Sequence, residues 1–198
     1  MDVVENLPRL GCVVLAAGSA QRFGANKLSA RWEGKPLIRR SLEAIPAQRF
    51  VRTVVVTQYP EFMRLAKEFS FAAVLNDRPD LGISRSLKMG LTALRDCDAV
   101  LFQVSDQPLL RRETVDALLD AYLAQPEKIA ALSHNGKRGN PCIFPARFFS
   151  ELMALQGDKG GGAVIRRHEE DLLLCEVPAA ELGDADTPEA LEQLKKEQ

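Results

Sequence analysis

The chain has 198 residues, 46% of them hydrophobic, enough for one ordinary core, so positions 1–198 are read as a single domain. With 26 Lys and Arg against 27 Asp and Glu, the net charge of −1 excludes a nucleic-acid partner held by bulk electrostatics. Cys12, Cys97, Cys142 and Cys175 form no CxxC pair and no apolar run approaches the roughly 20 residues of a membrane span, which argues against a disulfide framework, a zinc site and a transmembrane helix.

Short apolar runs alternate with amphipathic segments. Residues 12–16 read as a buried strand that ends at Ala17 and Gly18. Arg22, Gly24 and Lys27 follow in a loop. Glycine lets backbone N–H groups approach phosphates, and the two cations match polyphosphate charge. Neither the GxGxxG nor the GxxxxGK(S/T) spacing is met, so this is a loop of another kind. A helix is predicted over 36–47, with Leu37, Ile38, Leu42 and Ile45 on one face. Further predicted elements are a β-branched strand at 53–57, a helix at 61–69, a short strand at 72–75, a helix at 84–94 and an apolar strand at 99–104. A helix at 113–123 buries Val115, Leu118, Leu119 and Tyr122, and strands follow at 128–133 and 142–144. A helix at 147–155, a strand at 172–177 and a last helix from about Pro188 complete the series, with the Gly-rich 157–162 read as a mobile loop.

Strand–helix alternation with apolar strands predicts an α/β fold with a mainly parallel sheet covered on both faces, and ligands at the carboxyl ends of its strands. The distinctive residues follow strands. Ser105-Asp106-Gln107-Pro108 leaves an unbroken apolar strand, and Asp184-Ala185-Asp186-Thr187-Pro188 precedes the last helix. Each reads alone as a turn or cap, with Thr187 a good N-cap; together they offer two carboxylates of the kind that hold Mg²⁺ with substrate phosphates. Asn76 leaves another strand and leads through Gly82 into Ser84 and Ser86. Ser84 reads equally as a helix cap and as a contact to a base edge or phosphate. Gly139-Asn140-Pro141 is, by itself, a turn before a strand. The expected home is the cytoplasm: Asp2 and Glu5 without an apolar run do not read as a signal peptide, and the cysteines read as small buried hydrophobes in a reducing compartment.

In order, these segments resemble the molybdenum-cofactor nucleotidyltransferases, and within the MobA-like NTP transferases they are most similar to the cytidylyltransferase branch, the MocA type. The resemblance runs over about residues 10–195. It rests on Leu15-Ala16-Ala17-Gly18 with Arg22, Gly24 and Lys27, on Gly82-Ile83-Ser84-Arg85-Ser86-Leu87, and on Asp106-Gln107-Pro108. Asn140-Pro141, Gly157-Asp158-Lys159-Gly160 and Asp184-Ala185-Asp186-Thr187-Pro188 complete it. Four positions depart from the family pattern: Ala20 for Ser, Phe23 for Met, Ser105 for Gly and Asn140 for His. The last bears on the acceptor more than on nucleotide chemistry.

The resemblance implies a Rossmann-like three-layer sandwich of the nucleotide-diphospho-sugar transferase type and an Mg²⁺-dependent transfer of CMP from CTP to the phosphate of a molybdopterin-type acceptor, with a client molybdoenzyme downstream. It implies that Arg22, Lys27 and Asp106 are catalytic, and that Leu15, Ala16, Ala17, Gly18, Asn76, Gly82, Ser84 and Ser86 bind nucleotide with them. Gln107, Asn140 and Pro141 would contact the acceptor, and Asp106 and Asp186 would hold Mg²⁺. Ala17, where the guanylyltransferase branch has Gly, favours CTP. The alternatives are GTP-dependent guanylyl transfer, another sugar- or polyol-phosphate nucleotidyltransferase, and a non-catalytic chaperone that delivers cofactor.

Overall fold

The computed structural model describes residues 8–18 and 26–196. In chain order the main elements are β1 (Leu10–Ala16), β2 (Arg31–Trp32), β3 (Lys35–Pro36), α1 (Leu37–Glu43), β4 (Arg52–Thr57), α2 (Pro60–Glu68), β5 (Ala72–Leu75) and α3 (Ile83–Ala93). They continue through β6 (Ala99–Val104), α4 (Arg112–Ala124), β7 (Ile129–His134), β8 (Lys137–Pro145), α5 (Phe149–Met153), α6 (Gly162–Ile165), β9 (Leu172–Glu176) and α7 (Pro188–Lys196).

Among the described residues the sheet is seven-stranded in the order β5-β4-β1-β6-β8-β7-β9, and there β8 alone runs against its neighbours. This is the mainly parallel α/β arrangement that strand–helix alternation predicts. The alternation of side chains along each strand divides the core in two. Cys12, Val14 and Val55 point to the face covered by α1, α2 and α4, and Val13, Val54 and Val56 to the face covered by α3 and α5. Gly90 seats α3 on β1, since a Cβ there would lie 2.5 Å from Val13 Cγ1. The chain passes from β1 outward to β4 and β5, then returns to place β6 on the other side of β1. Strand order reverses there, so the carboxyl ends of β1 and β6 form a crevice.

Four expectations are corrected. The helix predicted over 36–47 stops at Glu43, because Pro46 offers no N–H and disfavours helical geometry before it; a single 3-10 turn follows at Ala47–Arg49. The helix at 147–155 is divided into a 3-10 turn, Ala146–Phe148, and α5. Asn140 and Pro141 lie inside β8, not in a turn before it: the register shifts between Ala131 and Ser133, so the stretch around Pro141 is relieved of pairing it has no N–H to make. The Gly-rich stretch 157–162 is not loop throughout: Gly162 opens α6, and at its other end Ser84 N donates to Gly157 O at 3.1 Å. The β2–β3 hairpin was not predicted; Glu33 and Gly34, both at positive φ, make its turn. Thr187 caps α7 as expected, its Oγ1 accepting from Ala190 N at 3.1 Å. Among the described residues no helix is long and apolar enough to cross a membrane.

Candidate active site

The end of β1 is fixed by its neighbours. Ser105 Oγ donates to Leu15 O at 2.8 Å, Thr57 Oγ1 to Ala16 O at 3.0 Å and Gln58 Nε2 to Ala17 O at 2.9 Å. Ser105, a departure from the family pattern, is therefore a tie between β6 and β1, buried at their junction. Beyond this end opens a cleft of about 560 Å³. Leu15, Ala17 and Gly18 line one side, Gly82, Ile83 and Ser86 another, and Lys27, Asp106 and Asp186 meet at its charged end.

Lys27 starts a 3-10 turn whose first residue is preceded by an Asn26 cap and whose Leu28 is buried. Its ammonium lies 2.7 Å from Asp106 Oδ2 and 2.7 Å from Asp186 Oδ1. Burial works against the charge of Lys27, but the two carboxylates overcome it and hold its pKa above the ordinary lysine value. Asp106 follows β6 after one residue, Ser105. Asp186 arrives from far along the chain, and alternation explains how. Ala185 is wholly buried with Trp32, Leu37, Leu191 and Leu194, and its N–H donates to Asp106 O at 2.8 Å. The aspartates on either side of it are thereby turned outward. Asp184 has its pKa raised to about 6, first by loss of hydration and next by the charge of Asp106, against the lowering effect of the Gln107 amide.

The opposite wall is built from Asn76. It is buried, donates to Ser86 Oγ at 2.9 Å and accepts from Arg78 N at 3.1 Å and Arg85 Nε at 3.0 Å. Gly82 has φ 84°, and a Cβ on it would come within 2.5 Å of Gly157 O. A second cavity of about 170 Å³ adjoins the first along Leu15, Ile83 and Val104, with Arg138, Asn140 and Phe144 around it.

The structure thus brings Leu15, Ala17, Gly18, Lys27, Gly82, Ser86, Asp106 and Asp186 to one cleft, with Asn140 at the adjoining cavity. Ala16, Asn76 and Ser84 are buried behind its walls, Pro141 is buried in β8, and Gln107 is buried beside Asp106 with its amide turned to the 182–184 stretch. Arg22, with Ala20, Phe23 and Gly24, lies outside the described residues. Asp80, Asp158 and Arg138 complete the linings without having been singled out as site residues. Asp158 belonged to the Gly157-Asp158-Lys159-Gly160 motif and was legible there; Arg138 belongs to no motif.

Two carboxylate oxygens converging on one cation is an arrangement that also suits a hard divalent metal, which takes oxygen donors from one or two carboxylates and completes its shell with water and phosphate.

Comparison with known proteins bears on the family and the fold. The model of the MobA-like NTP transferase domain matches residues 12–172. The chain is 25% identical over 202 residues to the purine catabolism protein PucB of Bacillus subtilis, covering 96% of this chain and 97% of PucB. It is 31% identical over 139 residues to a molybdenum cofactor guanylyltransferase of Shewanella loihica, covering 69% of this chain and 68% of that protein. In fold it is similar to the crystal structure of Rv0371c from Mycobacterium tuberculosis, with a TM-score of 0.80 over 96% of this chain and 99% of Rv0371c at 19% identity.

Proposed function

This chain belongs to the MobA-like NTP transferase family and is a nucleotidyltransferase, and we propose that it transfers CMP from CTP to the phosphate of a molybdopterin-type acceptor and releases pyrophosphate. The observation that carries this reading is the meeting of Lys27, Asp106 and Asp186 at 2.7 Å, at the end of a cleft large enough for a nucleotide.

An acceptor phosphate is ionised at neutral pH, so the attack on the α-phosphorus requires no imidazole or hydroxyl base from the protein. The barrier is one of positioning and of charge on the α-phosphate and the leaving pyrophosphate. Asp106 and Asp186 would hold a divalent metal, Mg²⁺ on this reading, which when bound neutralises phosphate charge. Lys27 and Arg22 place cationic charge on the triphosphate. Gly18 leaves room for it after β1, and Gly82 and Ser86 border the nucleoside side. Asn140, in the adjoining cavity, faces the acceptor.

CTP is preferred here because the Ala17 methyl, buried at the cleft wall, occupies space that a purine would need. The name of the Shewanella relative favours a second reading, guanylyl transfer from GTP. A matrix of each NTP with molybdopterin cofactor and with sugar or polyol phosphates, read by pyrophosphate release with and without Mg²⁺, decides between them. Turnover is expected with CTP, molybdopterin cofactor and Mg²⁺ together. Asp106→Ala is expected to lose that turnover with little change in thermal unfolding. Full activity of this variant would remove Asp106 from the site.

A further inference from the structure

Gln107 was expected to touch the acceptor, and its surroundings assign it other work. The residue is 3% exposed. Its Nε2 donates to Asp184 Oδ1 at 3.0 Å and to Leu182 O at 3.3 Å. Both partners are acceptors, so the atom facing them is the amide nitrogen and not the oxygen. The stretch it grips is the one that carries Asp186 to Asp106. That stretch is fastened on one side by Glu181, buried and paired with Arg111 Nε at 2.9 Å, and on the other by Ala185 N on Asp106 O at 2.8 Å. Between those two points Gln107 hydrogen-bonds to Leu182 and Asp184 from outside the stretch, beside the backbone bonds of the 3-10 turn Ala179–Leu182.

We propose that Gln107 is a positioning residue: its amide, through Asp184 Oδ1 and Leu182 O, holds the 182–186 stretch so that the Asp186 carboxylate faces that of Asp106. This rests on the reading of Asp106 and Asp186 as the metal-holding pair. A partner one shell behind a metal ligand commonly sets metal affinity by about 10- to 100-fold. Gln107 differs from the usual case in acting on the backbone and a neighbouring side chain, not on the ligand atom itself.

The test is Mn²⁺ binding to the full chain, with free ion counted by its EPR signal. Asp184→Asn and Asp184→Leu remove the same charge, but Asn keeps an oxygen that accepts from Gln107. Asp184→Leu is expected to bind Mn²⁺ about tenfold or more weaker than Asp184→Asn, and Gln107→Leu to lose affinity to a similar degree. KM for the acceptor, measured at saturating metal, is expected to be unchanged in Gln107→Leu. Equal Mn²⁺ affinity in the two Asp184 variants would overturn the proposal, as would a Gln107→Leu protein with parental Mn²⁺ affinity and a raised acceptor KM. Asp106→Ala is the separate control: if it binds Mn²⁺ as the parent does, the metal-site reading itself fails, whatever Gln107 does. The Asp184 pair carries the test should Gln107→Leu not fold.

Discussion

At the scale of single residues, the cleft depends on side chains whose surroundings set their charge. Asp184 is the clearest case. Its folded-state pKa of about 6 stands above the ordinary 3.8. Between those values the folded chain keeps a proton that the unfolded chain has released. Stability linked to Asp184 is therefore present below the lower value and is lost as pH rises through the higher one. In metal-free protein, Asp184→Asn is expected to gain melting temperature relative to the parent as pH rises from about 4 to 7; a difference that stays flat across thermal scans at stepped pH would contradict the shift. Ala17 carries a second prediction. On the function proposed above, removing its methyl would open room beside the nucleotide, and one such group discriminates by about 1–3 kcal/mol. Ala17→Gly is expected to raise the GTP-to-CTP ratio of kcat/KM by about tenfold or more in a competition assay, and an unchanged ratio would separate Ala17 from base choice.

At the scale of elements, the connection from β5 to α3 depends on Gly82. Its φ of 84° suits glycine, and the Gly157 carbonyl fills the space where a side chain would stand. Gly82→Ala is expected to cost about 1–3 kcal/mol in denaturant unfolding, with the 157–158 turn displaced from the start of α3. Much of this scale was legible in the sequence. Apolar runs marked β1, β4 and β6, and the residues just beyond them, Ala17, Gly18 and Asp106, are at the cleft. What was missed has local causes. Strands of two residues, β2 and β3, are too short for alternation to show, and the Glu33-Gly34 turn lacks the Asn-Gly or Asp-Gly pair that signals such hairpins. Pro141 read as a break, yet a shift of register lets β8 continue past it. Gln107 and Asn76 were expected to touch the acceptor and the nucleotide, and both are buried and turned to partners within the protein. The direction of their side chains depended on partners as distant as Leu182 and as near as Ser86, which no local pattern encodes.

At the scale of the whole molecule, a net charge of −1 conceals a strongly uneven distribution. Among the described residues lining the main cleft, Asp106, Asp158 and Asp186 stand with a single cation, Lys27, and Asp80 is paired with Arg78 at 2.8 Å. A free metal ion competes there with an ammonium already seated between the two carboxylates it would need. On the function proposed above, the cleft behaves as an ion exchanger loaded with its own lysine. Asp106 and Asp186 would hold the metal of a metal–nucleotide complex in place of Lys27, whose ammonium would then pair with the phosphates. The cost of separating Lys27 from its aspartates would be met within the same binding event.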